Sequence, residues 1–397
     1  MYLDFSKAFD KVETGVLLHK LRDGKVLGKL GCWLAAFLDS SSRKQAVVVN
    51  GRISDLSPVI SGVPQGTVLG PVLFLLHIAD IAREVSSATT TSSYVDDTRA
   101  NRSIADIPSD CQALQDDLSG IYRWAEDVNM VFNSEKFECL RFWPGKTSVP
   151  EFVYKSPDGS IIEEKKDLRD LGVQLSSDLS FSIHIQNTVA SANQLIGWAM
   201  RTFRRRSRLV MMTIWKSLIQ SKLDYCSQLW SPVDQLSISK LESVQRHFTS
   251  QISGLDGQDY WERLESLRLY SQERRRERYR IIFIWKVLQG YVQGYNLTSL
   301  NNPRRGRLVV VADYPSHAPA VVRRAREASL SVRGAQLFNH LPRHLRDTLT
   351  GTVEQFKAGL DQWLLTIPDQ PTIPGRLRGA ATNSLLDQAP HSTILQV

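Results

Sequence analysis

Apolar positions along this chain fall into two regimes, changing near residue 180. Before it they come in short runs broken by Gly, Pro, Asn and Asp; after it they recur every three or four residues over long stretches. In the first regime residues 1–6 read as a strand, and Val16, Leu17, Leu18 and Leu21 follow at helical spacing. A helical stretch covers 33–38. Ala46 to Val49 and Ile53 then flank Asn50-Gly51, a pair suited to a two-residue hairpin turn in which both residues take positive φ. A loop rich in Gly and Pro, Ser61 to Gly66, leads into an apolar helix over 70–84 whose Leu73, Leu76 and Ile81 are expected to face a core. Residues 89–102 predict a second hairpin, with Tyr94-Val95 ending one strand and Asp96-Asp97 at the turn. Ser109 is the expected N-cap of an amphipathic helix carrying Leu114, Leu118, Ile121, Ala125 and Val128 and ending near Asn129. Extended segments resume at 137–143, turn at Asp158-Gly159, and include a short strand at Leu171-Gly172-Val173.

In the second regime the spacing predicts long helices over 182–203, 209–230, 236–252 and 271–289. From residue 301 the chain is rich in Arg, Pro and Gly, with one more helical stretch near 353–365, and the tail past Pro368 is expected to be disordered. A chain of 397 residues exceeds what one core usually serves. The expected fold is therefore α+β over residues 1–178, an antiparallel sheet backed by helices, then an all-α domain over 179–295 and a poorly defined basic region over 296–397, partly disordered. The first strand starts abruptly, with no cap before it.

Charge adds a partner to this picture. Lys and Arg number 49 against 41 Asp and Glu, a net charge of +8, which points to an anionic partner, nucleic acid foremost. Arg201, Arg204, Arg205 and Arg208 stand at i, i+3, i+4 and i+7, and Arg274, Arg275, Arg276, Arg278 and Arg280 crowd a second predicted helix. Like charges so close call for neutralisation, by the phosphates of a duplex or by Glu273 and Glu277 on a solvated face. The four cysteines lack the spacing of a structural zinc site and read as reduced intracellular thiols. The longest apolar stretch, 68–82, is broken by His77 and Asp80 and is too short to span a bilayer, so no membrane is expected as a partner.

The carboxylates supply candidate chemistry. Phosphoryl transfer needs charge neutralised on attacking and leaving oxygens, which two divalent cations held by hard oxygen ligands provide. Magnesium is commonly held by only one or two carboxylates plus water and substrate phosphates. Asp4 at a strand end and Asp96 at a hairpin tip would meet if those strands are neighbours, with Asp97 beside them. An Asp-Asp pair is also ordinary turn chemistry.

The company these residues keep changes the weighting. Tyr2-Leu3-Asp4-Phe5-Ser6-Lys7-Ala8-Phe9-Asp10-Lys11-Val12 resembles the first palm motif of reverse transcriptases from non-LTR, jockey-like retrotransposons. Ser61 to Pro71 and Tyr94-Val95-Asp96-Asp97-Thr98 resemble that family's second and third motifs, and Asn133-Ser134-Glu135-Lys136 and Leu171-Gly172-Val173 its fourth and fifth. The likeness continues through Leu223 to Pro232 and Leu241 to Arg246 in the helical region. Val95 stands where many relatives have alanine. The resemblance implies a palm followed by a thumb and an RNA-directed DNA polymerase that adds deoxynucleoside triphosphates to a primer 3′-hydroxyl on an RNA template.

It further implies two Mg2+ ions, replaceable by Mn2+, on Asp4, Asp96 and Asp97, with the carbonyl of Phe5 available to the nucleotide-side ion. Phe9 matches a steric gate over the sugar, Gln65 and Gly66 a loop against the nascent base pair, and Lys136 a general acid for the departing pyrophosphate. Leu171, Gly172 and Val173 match a primer grip. The family works inside the cell on chromosomal DNA, hence in the nucleus. Relatives carry a fingers region and an endonuclease upstream of the first motif, so N-terminal structure is expected to be missing here. Two other readings stay open: a catalytically dead remnant that only binds nucleic acid, and an unrelated metal-dependent phosphatase or nuclease.

Overall fold

The computed structural model describes residues 1–143, 152–304, 306–311, 319–348, 351–371 and 383–388. It divides into two compact units, Met1–Leu168 and Arg169–Val397, a boundary ten residues before the expected 178.

The first unit is built on a five-stranded sheet. Its order is Thr89–Tyr94, Asp97–Arg102, Tyr2–Leu3, Glu138–Leu140, Glu163–Lys165, antiparallel except for the last, parallel pair. Helices Thr14–Asp23, Leu69–Ile78 and Ser109–Asp127 close on it around Leu3, Phe5, Leu17, Leu73, Phe74, Leu118, Ile121 and Trp124. The hairpin at Asn50-Gly51 forms as predicted, with Val48–Val49 paired to Arg52–Ile53 and both turn residues at positive φ. Two details differ. Leu76 is 44% exposed while Leu73, Phe74, His77 and Ile78 are buried; in a helix apolar all round, sequence does not say which stripe wins. Ser109 lies inside its helix and caps nothing; its hydroxyl donates to Asp106, while Asp110 accepts from the N–H groups of Ala105 and Asp106.

That helix also anchors the hairpin Thr89–Arg102. Asp117 accepts from the Ser86 N–H at 2.8 Å, from the Ser86 hydroxyl at 2.9 Å and from Thr89, the first residue of the hairpin. Burial alone would raise the Asp117 pKa; the bonds from Thr89 and Ser86 and the charge of Arg102 outweigh it and hold the pKa below the usual value. A depressed carboxylate stabilises the fold above its unfolded pKa and stops doing so as pH falls through its folded one. Asp117→Asn should therefore cost about 1–3 kcal/mol at neutral pH, with the gap to wild type closing below about pH 4 in denaturant titrations.

In the second unit, helices Ser182–Thr202, Arg208–Ile214 and Gln235–Thr249 enclose Ile196, Trp215, Ile219, Leu223, Trp230 and Phe248. The helix expected over 209–230 is interrupted by a π-helical turn at Trp215–Ile219 and by Cys226 at φ 49 before Ser227–Trp230. The region from 296 has more order than its composition indicates. Strand Gly306–Val309 and helices Ala335–Asn339 and Val353–Leu364 gather on helix Gln272–Leu288 around Ile284, Trp285, Phe338, Phe356 and Leu360. Of the tail past Pro368, Leu385 is 1% exposed, and Glu277 accepts from its N–H and from the Ser384 hydroxyl; residues 372–382 and 389–397 lie outside the described residues. Among the described residues no helix is long and apolar enough to cross a membrane.

Candidate active site

Strand register decides where the carboxylates stand. Leu3 pairs with Thr98, so Asp4, the next residue, leaves its strand beside Asp97. Tyr94 pairs with Asp97, which leaves Val95 and Asp96 as the two-residue turn. Asp97 thus opens a strand instead of sharing the turn as expected. Val95 holds φ 58, a region that a β-branched residue enters only under constraint from its surroundings. Asp4 and Asp96 are half-buried and Asp97 exposed. Partial desolvation of its carboxyl, then the charges of Asp96 and Asp4, push the Asp97 pKa up.

The backbone around Asp4 is held from the opposite side. Ser6 N–H donates to Val131 O at 2.8 Å and Asn133 N–H to Asp4 O at 2.8 Å, while the buried Phe5 ring stacks on Phe132 with centroids 4.4 Å apart. Asn133 leads into the turn Ser134–Lys136, which brings Lys136 Nζ to 2.9 Å from Asp4 Oδ2. That bond and the Asp4 charge, with smaller contributions from Asp96 and Asp97, raise the lysine's pKa. Sequence spacing gave no sign that Lys136 reaches the carboxylates; the pairing of 131–133 with 4–6 produces it.

The half-buried Phe9 stacks on the buried Phe74, with centroids 4.7 Å apart. Gln65 and Gly66 are exposed, Gly66 at φ 76. Gln65 donates to Asp10, and Arg43 donates to Gly62 O at 2.8 Å; sequence analysis gave neither Asp10 nor Arg43 a role.

The second unit carries the fifth motif in a form that departs from expectation. Leu171 and Gly172, at φ 43 and φ 86, are the turn between strands Asp167–Asp170 and Val173–Ser176, and Val173 is a core residue only 3% exposed. Tyr225 hydroxyl donates to Leu171 O at 2.7 Å. The arginine reading also changes. Helix Ser182–Thr202 ends before Arg204 and Arg205, so these two sit, exposed, on a connector rather than on one helical face with Arg201 and Arg208. Arg274, Arg276 and Arg280 are 0%, 4% and 2% exposed, and Arg275 and Arg278 pair with Asp224 and Asp361. That helix turns its charge inward, against the expected phosphate grip.

The donor set suits a hard divalent cation. Among the described residues no group of three or more His, Cys, Asp or Glu side chains is arranged to hold a metal ion without further ligands. Carboxylates beside one another suit magnesium, which retains waters and takes substrate phosphates as further ligands.

Known proteins resemble this chain in sequence. Residues 1–175 match the family described as "Reverse transcriptase (RNA-dependent DNA polymerase)". The "RNA-directed DNA polymerase from mobile element jockey" of Drosophila melanogaster is 28% identical over 262 residues, covering 64% of this chain and 28% of that protein. The "Probable RNA-directed DNA polymerase from transposon X-element" of the same species is 25% identical over 269 residues, again 64% of this chain and 28% of that protein. The chain thus spans a little over a quarter of the length of these relatives. The segment that holds the register-built carboxylates and the ordered motifs, residues 1–175, is thus the one that matches the reverse transcriptase family, and the chain is similar to the polymerases of the jockey and X-element mobile elements.

Proposed function

We propose that this chain carries out RNA-templated DNA synthesis, adding deoxynucleoside triphosphates to the 3′-hydroxyl of a DNA primer, with Asp4, Asp96 and Asp97 as ligands for two Mg2+ ions. The observation that carries the reading is the register that sets Asp4 beside Asp97 and Asp96 on the adjoining turn. Bound there, the metal ions would neutralise charge on the attacking and departing oxygens. The Phe5 carbonyl adds a further hard donor on the segment that carries Asp4. The residues around them orient and select. Phe9, braced by Phe74, bounds the sugar; Gln65 and Gly66 approach the nascent base pair; Lys136 holds a proton that it delivers to the leaving pyrophosphate oxygen. The turn of Leu171 and Gly172, tethered by Tyr225 and followed by the buried Val173, offers backbone to the primer.

The test is magnesium-dependent extension of a primed RNA template by the purified chain. Extension by wild type and none by an Asp96→Ala, Asp97→Ala double variant is the expected result. Salt-sensitive binding without any extension would leave a domain that only holds nucleic acid. Lys136→Gln should slow the chemical step about a hundredfold, the usual worth of a positioned acid, with primer-template affinity unchanged. An unchanged single-turnover rate would remove Lys136 from the chemistry.

A further inference from the structure

The first and second motifs are laced together by four hydrogen bonds. Gly62 N–H donates to Val12 O at 2.7 Å and Val63 N–H to Phe9 O at 2.9 Å. Ser61 hydroxyl donates to Asp10 O, and Gln65 Nε2 donates to Asp10 Oδ1, each at 2.8 Å. The fit is close: Gly62 sits at φ 86, and a Cβ there would lie 2.8 Å from both Asp10 Cα and Phe9 O. The loop that bears Gln65 therefore has little freedom relative to the segment that bears Asp4 and Phe9.

Asp10 brings something the backbone bonds do not. A glutamine amide has a donor end and an acceptor end of nearly the same shape, and a neutral neighbour that both donates and accepts lets it flip. An ionised carboxylate only accepts. Asp10 thus fixes the polarity of Gln65: Nε2 is held inward and Oε1 is turned outward as an acceptor. Both side chains are exposed, so the outward oxygen stands where a ligand can reach it.

We infer that Asp10 is a positioning residue for substrate selection, orienting the Gln65 amide so that it offers a hydrogen-bond acceptor to a donor on the incoming nucleotide or its base pair. This inference rests on the polymerase reading above. Asp10→Asn keeps the shape but removes the polarity lock, and Asp10→Ala removes the partner.

The experiment is a kinetic cycle on the full chain with a primed RNA template: wild type, Asp10→Asn, Asp10→Ala, Gln65→Ala and the double variant Asp10→Ala, Gln65→Ala. Both Asp10 variants should raise the KM for the correct deoxynucleotide about tenfold, the worth of one charge-assisted hydrogen bond, with kcat little changed. The double variant should be no worse than Gln65→Ala alone, because Asp10 acts through Gln65. Multiplicative losses in the double variant, or an Asp10→Asn protein with wild-type KM, would overturn the inference while leaving the polymerase reading intact. A wild-type chain that extends no primer would refute that reading and this inference together.

Discussion

Asp96→Asn should lower the rate of nucleotide addition at least about a thousandfold while leaving the unfolding midpoint and primer-template affinity near wild type. The substitution keeps volume and shape at a half-buried turn position, so the hairpin pairing from Thr89 to Arg102 has no reason to change. What it removes is the negative charge needed by a cation-holding group. Single-turnover extension with saturating magnesium is the measurement, and a loss of less than tenfold would take Asp96 out of the metal site. Acidification should mimic the substitution in part. The Asp97 pKa is raised by partial desolvation and by Asp96 and Asp4, so the fully ionised cluster needs a higher pH than an isolated aspartate. In the metal-free chain the Asp97 carboxyl should accordingly take up its proton, on lowering pH, before an ordinary aspartate would, which a carboxyl-resolved NMR titration reads directly. A carboxylate with a raised pKa opposes folding above its unfolded value, so Asp97→Asn should modestly stabilise the unit at neutral pH while impairing catalysis.

The elements that position these carboxylates were legible because their signals are local. The stretch 89–102 is a polar run with a short turn signal, and its tip falls within one residue of where the sequence puts it. The long helices expected over 182–203, 236–252 and 271–289 were equally legible, since a 3.6-residue period repeated over four or five turns leaves little ambiguity, whereas the one over 209–230 breaks at Cys226. Three things were not. Leu171-Gly172-Val173 reads as a strand because its side chains are apolar, yet two consecutive positive φ values make it a turn; only Gly172 hinted at that. The Lys136 to Asp4 bond spans 132 residues and depends on strand pairing that sequence periodicity does not encode. Asp10 is named in the sequence only as part of the first motif, and its bond to Gln65 depends on where a loop some fifty residues away comes to lie.

The arginine-rich helix is the instructive failure, and it yields the second large prediction. Charge density in a sequence says nothing about whether the partners are phosphates or the protein itself. Here Arg276 lies 4.0 Å over the Trp230 ring and donates to Leu223 O at 2.7 Å, and Arg280 donates to Ser231 O at 2.8 Å and Ala328 O at 2.7 Å. On the same helix Trp285 is 1% exposed, stacks on Phe356 with centroids 4.8 Å apart and donates from its indole to Thr348 O at 3.2 Å. The helix is thus a strut onto which the C-terminal core is built. Trp285→Ala should destabilise the second unit by about 3–5 kcal/mol, from reduced burial and the cavity left behind, with Phe356 and Leu360 the first side chains to loosen. Nucleic-acid affinity should respond to different residues. Arg204→Ala with Arg205→Ala, on the exposed connector, should flatten the dependence of log affinity on log salt by about two, roughly one for each phosphate no longer neutralised. Arg276→Met should leave that slope as it is. A slope change in Arg276→Met equal to that of the connector pair would mean that this helix opens to bind, and that the buried arginines are a phosphate grip after all.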